Sequence, residues 1–221
     1  KEQTSASEAL EYRLKILRDY ATLVDAESEF PLSQFSSRQD RASQSIGYGK
    51  AAMLFHMLRK EVGEEIFWST LKTIAEEKLF QPIGWNELKK YFSAASGINL
   101  NSFFTQWLQR TRGPELALQQ LRIEKTDNGY ITHGVIVQTD QPYGLTIELE
   151  LETETGITSN EISLSGTKQE FSLRTDTRPL AITADPNSNL FRILSEQEIP
   201  ETVNSLRGSK NLLVIKAENF T

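Results

Sequence analysis

The chain has 221 residues, 38% of them hydrophobic and 24% charged, a balance that belongs to a folded globular protein and not to a disordered one. A formal net charge of −6, with no clustered Lys and Arg, argues against a nucleic-acid-binding surface. There is no cysteine, which excludes disulfides and thiolate metal sites and leaves compartment and localisation open.

No apolar run approaches the roughly 20 residues that span a bilayer, so no membrane span is expected. A start at Lys1, without Met or a signal-like segment, is what a piece of a longer precursor would show. Leu10, Leu14, Leu17 and Ala21 recur at helical spacing behind the capping candidates Ser5 and Ser7, which predicts a first helix over about residues 5 to 24. Phe30 to Ser37 breaks that pattern, because Pro31 and the serines favour an extended connection, here with Phe30 and Phe35 as aromatic anchors.

A second helix carries Ala51, Leu54, Phe55, Leu58 and Val62 on one stripe and stops at Gly63, a residue suited to a left-handed cap. Helix three follows with Ile66, Phe67, Leu71 and Ile74. Helix four uses Leu88, Tyr91 and Phe92 before Gly97, and helix five groups Leu100, Phe103, Phe104, Trp107 and Leu108. Short connections between them predict a compact helical bundle. The Phe103, Phe104 and Trp107 stripe reads as core.

Near Arg112-Gly113-Pro114 the period changes to two. Leu145, Ile147, Leu149 and Leu151 alternate with Thr146, Glu148, Glu150 and Glu152, so one face of that strand is wet. Similar runs at 116–124, 130–138, 161–164, 170–173 and 180–184 are separated by Asp127-Asn128-Gly129, Gln141-Pro142-Tyr143-Gly144 and Thr155-Gly156, and predict an antiparallel sandwich. Asp185-Pro186-Asn187 closes the last strand. Beyond it, residues 196–206 read as a weak helix and Leu212-Leu213-Val214-Ile215 as a strand, either an addition to the sandwich or the start of a further domain. The expected division is therefore 1–113 helical, 114–194 sandwich and 195–221 linker with that final strand.

A helical zinc-hydrolase signature needs two histidines four residues apart, which puts both imidazoles on one face. The only histidines are His56, with Lys60 four residues on, and His133, on a strand with Ile131, Val135 and Val137, so both read as structural imidazoles. No Gly-x-Ser-x-Gly elbow or phosphate loop occurs. Glu64-Glu65 and Glu76-Glu77 are neighbours on a helix, so each pair diverges and reads as a solvated face.

Tyr48 is the one candidate catalytic residue. It lies in Ser45-Ile46-Gly47-Tyr48-Gly49-Lys50-Ala51-Ala52 at the head of the second helix. Spacing alone gives it a face shared with Ala51, Phe55 and Leu58, as a packing residue would have.

The stretch Tyr-Gly-Lys-Ala-Ala-Met-Leu-Phe-His-Met-Leu from Tyr48 to Leu58, followed by Arg59, Gly63 and Phe67, resembles the Tyr-x-Lys-Gly/Ala-Ala segment of aminopeptidase N-like zinc metallopeptidases, the gluzincin aminopeptidases. The residues from Ala95 to Trp107, the Gly113-Pro114 junction, and Asp185-Pro186-Asn187 with Leu190-Phe191-Arg192 continue the likeness in order. It is strongest over residues 43–114. The resemblance implies an α+β chain in which the end of a thermolysin-like catalytic domain precedes an antiparallel β-sandwich. In that family the tyrosine donates a hydrogen bond to the oxyanion formed when zinc-activated water attacks the scissile carbonyl, a donor of the kind worth about 3 kcal/mol. The family's His-Glu-x-x-His helix, its following glutamate ligand and its Gly-x-Met-Glu-Asn substrate loop precede the tyrosine and do not occur here, where Met53 and Met57 both lie in the Tyr48 helix.

The expectation is thus a fragment that carries the oxyanion tyrosine, holds no zinc and hydrolyses nothing by itself. Its parent would be a zinc aminopeptidase with a peptide substrate, and its partner the upstream segment of that catalytic domain. The competing expectation is a non-catalytic interaction or scaffold module derived from the same fold.

Overall fold

The computed structural model describes residues 5–138 and 141–199. Helix α1 (Ala6–Leu23) is capped by Ser5, whose hydroxyl accepts from the Glu8 amide at 3.0 Å. Its buried residues are Ala9, Ile16, Leu17 and Tyr20. Leu10, Leu14 and Ala21 are only half-buried. The inward face is thus offset by one residue from the leucine stripe, which it shares at Leu17, and it sets Tyr20 against Phe191 and Ile16 against Gly49.

A single 3₁₀ turn, Leu32–Gln34, interrupts the connection predicted at 30–37. One continuous helical run follows, made of α2 (Arg41–Gln44), a π-helical turn (Ser45–Lys50) and α3 (Ala51–Val62). Asp40 and Ser43 form a reciprocal capping box at its start. Gly63 ends it at φ 85° and ψ 155°, a positive-φ conformation with an extended ψ instead of a left-handed cap. Helix α4 (Glu64–Glu77) therefore starts on the next residue. Helices α5 (Trp85–Ser96) and α6 (Asn101–Gln109) complete the helical region, with Gly97 in the left-handed region.

Among the described residues six strands follow: β1 (Leu116–Thr126), β2 (Gly129–Gln138), β3 (Leu145–Thr153), β4 (Gly156–Leu164), β5 (Lys168–Thr175) and β6 (Pro179–Ala184). They form two antiparallel three-stranded sheets, ordered β1-β2-β5 and β4-β3-β6. The chain is α+β, a helical region followed by a β-sandwich. Strand β4 starts earlier than alternation indicates because residues 156–161 are exposed on both faces, which erases the period-two signal at an edge. The central strand β3 buries Leu145, Ile147, Leu149, Leu151 and Thr153, the alternation expected of it.

One hydrophobic core runs through helices and sandwich together. Phe191 is its link. Its ring meets Tyr20 edge-on at 4.8 Å and Trp107 at 6.2 Å, and its amide donates to the Met57 sulfur at 3.3 Å. Trp107 and Phe104 are buried, as expected of core, while Phe103 is half-buried beside them. The Ile193 amide bonds the Pro114 carbonyl at 2.9 Å, and Gly113 lies so close to Phe191 that a Cβ would stand 3.1 Å from its ring and carbonyl. A 3₁₀ turn occupies Glu196–Glu198. The remainder of the weak helix expected at 196–206, and the strand at 212–215, lie outside the described residues.

Candidate functional site

The helical run from Arg41 to Val62 buries every fourth residue: Ile46, Lys50, Leu54 and Leu58 are each at most 1% exposed. Tyr48 falls midway between the first two and so points away from the core. It is 57% exposed, where spacing alone had placed it on a packing face. Ala51 and Phe55, on its side of the helix, are only half-buried, and Leu58 belongs instead to the buried stripe. The π-helical turn carries Tyr48 at its fourth residue. Such turns are rare and cluster at functional sites.

Three features fix the ring. Phe35, one of the two aromatic anchors of the 30–37 connection, packs edge-on against Tyr48 with centroids 5.4 Å apart and planes at 72°. Phe35 also lies over Gly47, where any Cβ would run into its ring. Gly49, on the other side of Tyr48, lies against Ile16 of α1, with room for a Cβ only at 3.2 Å. The glycines flanking Tyr48 thus let the turn nest between the Phe35 connection and α1.

Tyr48 lines a cavity of about 500 Å³ between α1 and the Arg41–Lys50 segment. Tyr12, Lys15, Asp19, Arg41 and Ser45 also line it, and Lys15 and Asp19 are ion-paired with each other. The Ser45 hydroxyl is buried and has no hydrogen-bond partner among the described residues. A phenol in this position can donate a hydrogen bond to a group entering the cavity. Both charge signs and a spare hydroxyl stand beside it.

Lys50, two residues on, points the other way. Its ammonium donates to the Arg110 carbonyl at 2.7 Å and to the Thr111 carbonyl, just beyond the C-terminus of α6, and stands 5.3 Å from the Phe191 ring centre. Burial lowers its pKa to about 8, with Glu29 opposing that shift and Arg110 adding to it. The Tyr20 hydroxyl shares the Thr111 carbonyl at 3.3 Å and donates to Glu29 at 2.8 Å. Burial first, and the Glu29 carboxylate next, hold that phenol far above its ordinary range. Sequence reasoning missed Lys50. The available signal was a lone Lys inside the apolar stripe, four residues from both Ile46 and Leu54.

The described residues contain no group of three His, Cys, Asp or Glu side chains able to hold a metal. His56 pairs through Nε2 with Asn189 Oδ1 at 2.9 Å and through Nδ1 with Arg59 at 3.1 Å. His133 meets Ser172 at 2.8 Å and Glu124 at 3.2 Å. Both are held in these hydrogen bonds and lie on different elements, so the described residues bring the two imidazoles to no shared metal site. The two glutamate pairs are exposed and do not converge: Glu64 accepts from the Trp68 indole at 2.8 Å and Glu77 from the Tyr91 hydroxyl at 2.6 Å. No described helix is long and apolar enough to cross a membrane.

No family model matches the chain. Over 75 residues, 34% of its length, it is 32% identical to aminopeptidase N of Lactococcus lactis subsp. lactis, a stretch that covers 9% of that protein. In structure it is similar to Legionella pneumophila aminopeptidase A, solved in complex with aspartic acid, with a TM-score of 0.55 and 16% identity over 80% of this chain. It spans 21% of that chain's length. The molecule is thus similar to an aminopeptidase in sequence over a third of its length, and its fold is similar to part of another.

Proposed function

We propose that this chain is the end of the catalytic domain, with the sandwich behind it, of a zinc-dependent aminopeptidase that cleaves residues from peptide N-termini, and that Tyr48 is its oxyanion donor. The observation that carries this is the outward, half-exposed phenol on a π-helical turn, clamped by Phe35 at the edge of a cavity. Attack on a peptide carbonyl turns its oxygen into an alkoxide. A phenol O–H aimed at that oxygen gives a stronger hydrogen bond to the developing charge than to the starting carbonyl, and only that difference lowers the barrier. The turn and its aromatic clamp supply the preorganisation such a donor needs.

The 1–113 helices form one wall of the cleft in this scheme, and the 114–194 sandwich is a spacer packed behind them. Zinc belongs to the complete protein and would be held by residues outside this chain, since the described residues gather no three His, Asp or Glu side chains as ligands. The chain alone is accordingly inactive, and its partner is the upstream catalytic segment that closes the cleft over a peptide substrate.

The test is Tyr48→Phe in the complete protein, which should lower turnover about a hundredfold or more while zinc content stays unchanged. Unchanged turnover would overturn the assigned role. Chelator-sensitive release of amino acids from peptides by the purified 221-residue chain would overturn its inactivity.

A further inference from the structure

A lysine is an unusual occupant of the core. Lys50 is 1% exposed, its stem packed in the Ile46, Leu54, Leu58 stripe, and a methionine would fill that place without bringing a charge into the interior. What lysine adds is direction. Its ammonium grips the carbonyls of two consecutive residues, Arg110 and Thr111, at the exit of α6. These carbonyls are fixed in turn. The Arg110 guanidinium lies 3.5 Å from the Tyr143 ring centre and donates to the Pro142 and Gln141 carbonyls, while the Tyr143 hydroxyl donates to the Arg112 carbonyl. Residues 110–112 are thereby tied to the sandwich, and Lys50 ties the π-helical turn to residues 110–111.

Lys50 is also the last residue of that turn. The turn departs from α-helical hydrogen bonding, so its register depends on what grips it from outside. Phe35 grips it from the Tyr48 side and Lys50 from the opposite side.

We propose that Lys50 is a positioning residue for Tyr48: by anchoring the end of the π-helical turn to the Arg110 and Thr111 carbonyls, it sets the direction in which the phenol points. This rests on the oxyanion-donor reading of Tyr48. Burial of the ammonium lowers its pKa, so the charge costs stability at neutral pH, as a group kept for placement rather than for packing would.

In the complete protein, Lys50→Met should lower kcat at least tenfold with KM changed less than twofold, because substrate binding does not use the lysine. In a Tyr48→Phe background the same change should cost less than twofold, since there is no hydroxyl left to misplace. Hydrogen exchange of the amides of residues 45–50 should speed up in Lys50→Met. If Lys50→Met does not fold, Lys50→Gln, which keeps a hydrogen-bond donor on a similar stem, carries the same comparison with a smaller loss. An equal loss of kcat with and without the Tyr48 hydroxyl would overturn the proposal, as would unchanged exchange across the turn. If Tyr48→Phe itself leaves kcat intact, the oxyanion reading falls, and the exchange experiment still decides whether Lys50 anchors the turn.

Discussion

Phe35 and Gly47 are in such close register that the ring of the first occupies the space where a side chain of the second would begin. The same ring meets Tyr48 edge-on at 5.4 Å. A glycine before the tyrosine is therefore a packing requirement of the clamp, which links a loop residue from the 30–37 connection to the orientation of the candidate catalytic group.

Gly47→Ala should consequently be destabilising although alanine is the better helix former. The intrinsic gain of about 1 kcal/mol is outweighed by overpacking, which typically costs 1–3 kcal/mol in a well-filled interior, and the clamp must open to admit the methyl. Chemical denaturation should show a lower midpoint for Gly47→Ala. The double variant Phe35→Ala/Gly47→Ala should lose less than the sum of the two single changes, because removing the ring removes the clash. Full additivity would mean that the ring does not confine position 47.

How much of this site could be read from residues alone differs element by element. The strands were legible because β3 alternates buried Leu and Ile with polar residues and because Asp-Asn-Gly and Thr-Gly mark two tight turns, with Gly129 and Gly156 both at positive φ. Tyr48 was legible as a candidate only through the resemblance, since α-helical spacing grouped it with Phe55 and Leu58. The π-helical turn and the four-residue stripe through Ile46, Lys50, Leu54 and Leu58 put it on the other side. Lys50 escaped because hydrophobicity patterns score a lysine as solvated, whereas an ammonium can enter a core when backbone carbonyls and an aromatic face receive it. Phe35 was legible as an anchor but not as the neighbour of Tyr48, a contact made across 13 residues of sequence and specified by no local pattern.

Stability should carry the signature of Lys50 in alkaline solution. Burial holds its pKa at about 8 against an ordinary 10.5, so the folded chain binds this proton less tightly than the unfolded one. The contribution of the lysine is fully present above about pH 10.5 and is lost as pH falls through about 8. The stability of the protein relative to Lys50→Met should therefore rise between pH 8 and 10, with a slope of at most about 1.4 kcal/mol per pH unit. Glu29 and Arg110 act on the ammonium itself, the first opposing the downward shift and the second adding to it, so the difference between the two proteins reads the lysine within their field. Urea midpoints of the two proteins at pH 7.5, 8.5 and 9.5 measure it; a flat difference would mean that the ammonium is not desolvated.

Gly63 makes a different demand. At φ 85° and ψ 155° it occupies a region essentially reserved for glycine, and nothing stands within 4 Å of where a Cβ would be. Gly63→Ala therefore isolates backbone strain from packing and should cost about 1–3 kcal/mol. The thermal midpoint should fall while the Tyr48 turn, more than a helix length away, keeps its exchange pattern. An unchanged midpoint would show that the α3–α4 corner relaxes without cost.

Asp185 closes the sandwich with a carboxylate that is 2% exposed. It accepts from the Asn189 amide at 2.6 Å, the Leu190 amide at 3.4 Å and Arg192 Nε at 3.2 Å, while Arg192 also holds Glu198 through both terminal nitrogens. Burial pushes the Asp185 carboxyl up to about 6 against the pull of Arg192 and the amides, which leaves it ionised at neutral pH. Burial works against the Arg192 charge as well, yet Glu198 and Asp185 together hold its pKa above the ordinary value. Asn tolerates the positive φ of 53° at this position, so Asp185→Asn removes the charge and leaves the backbone conformation accessible. With one partner of a buried pair gone, and Glu198 still in place, the loss should be about 3 kcal/mol. Because Asp185 orders the turn that delivers Phe191 into the junction between helices and sandwich, the loss should appear in both halves at once: helical circular dichroism and strand amide exchange should report one shared, lowered transition. Separate transitions, with the helices unaffected, would mean that this carboxylate stabilises the sandwich alone.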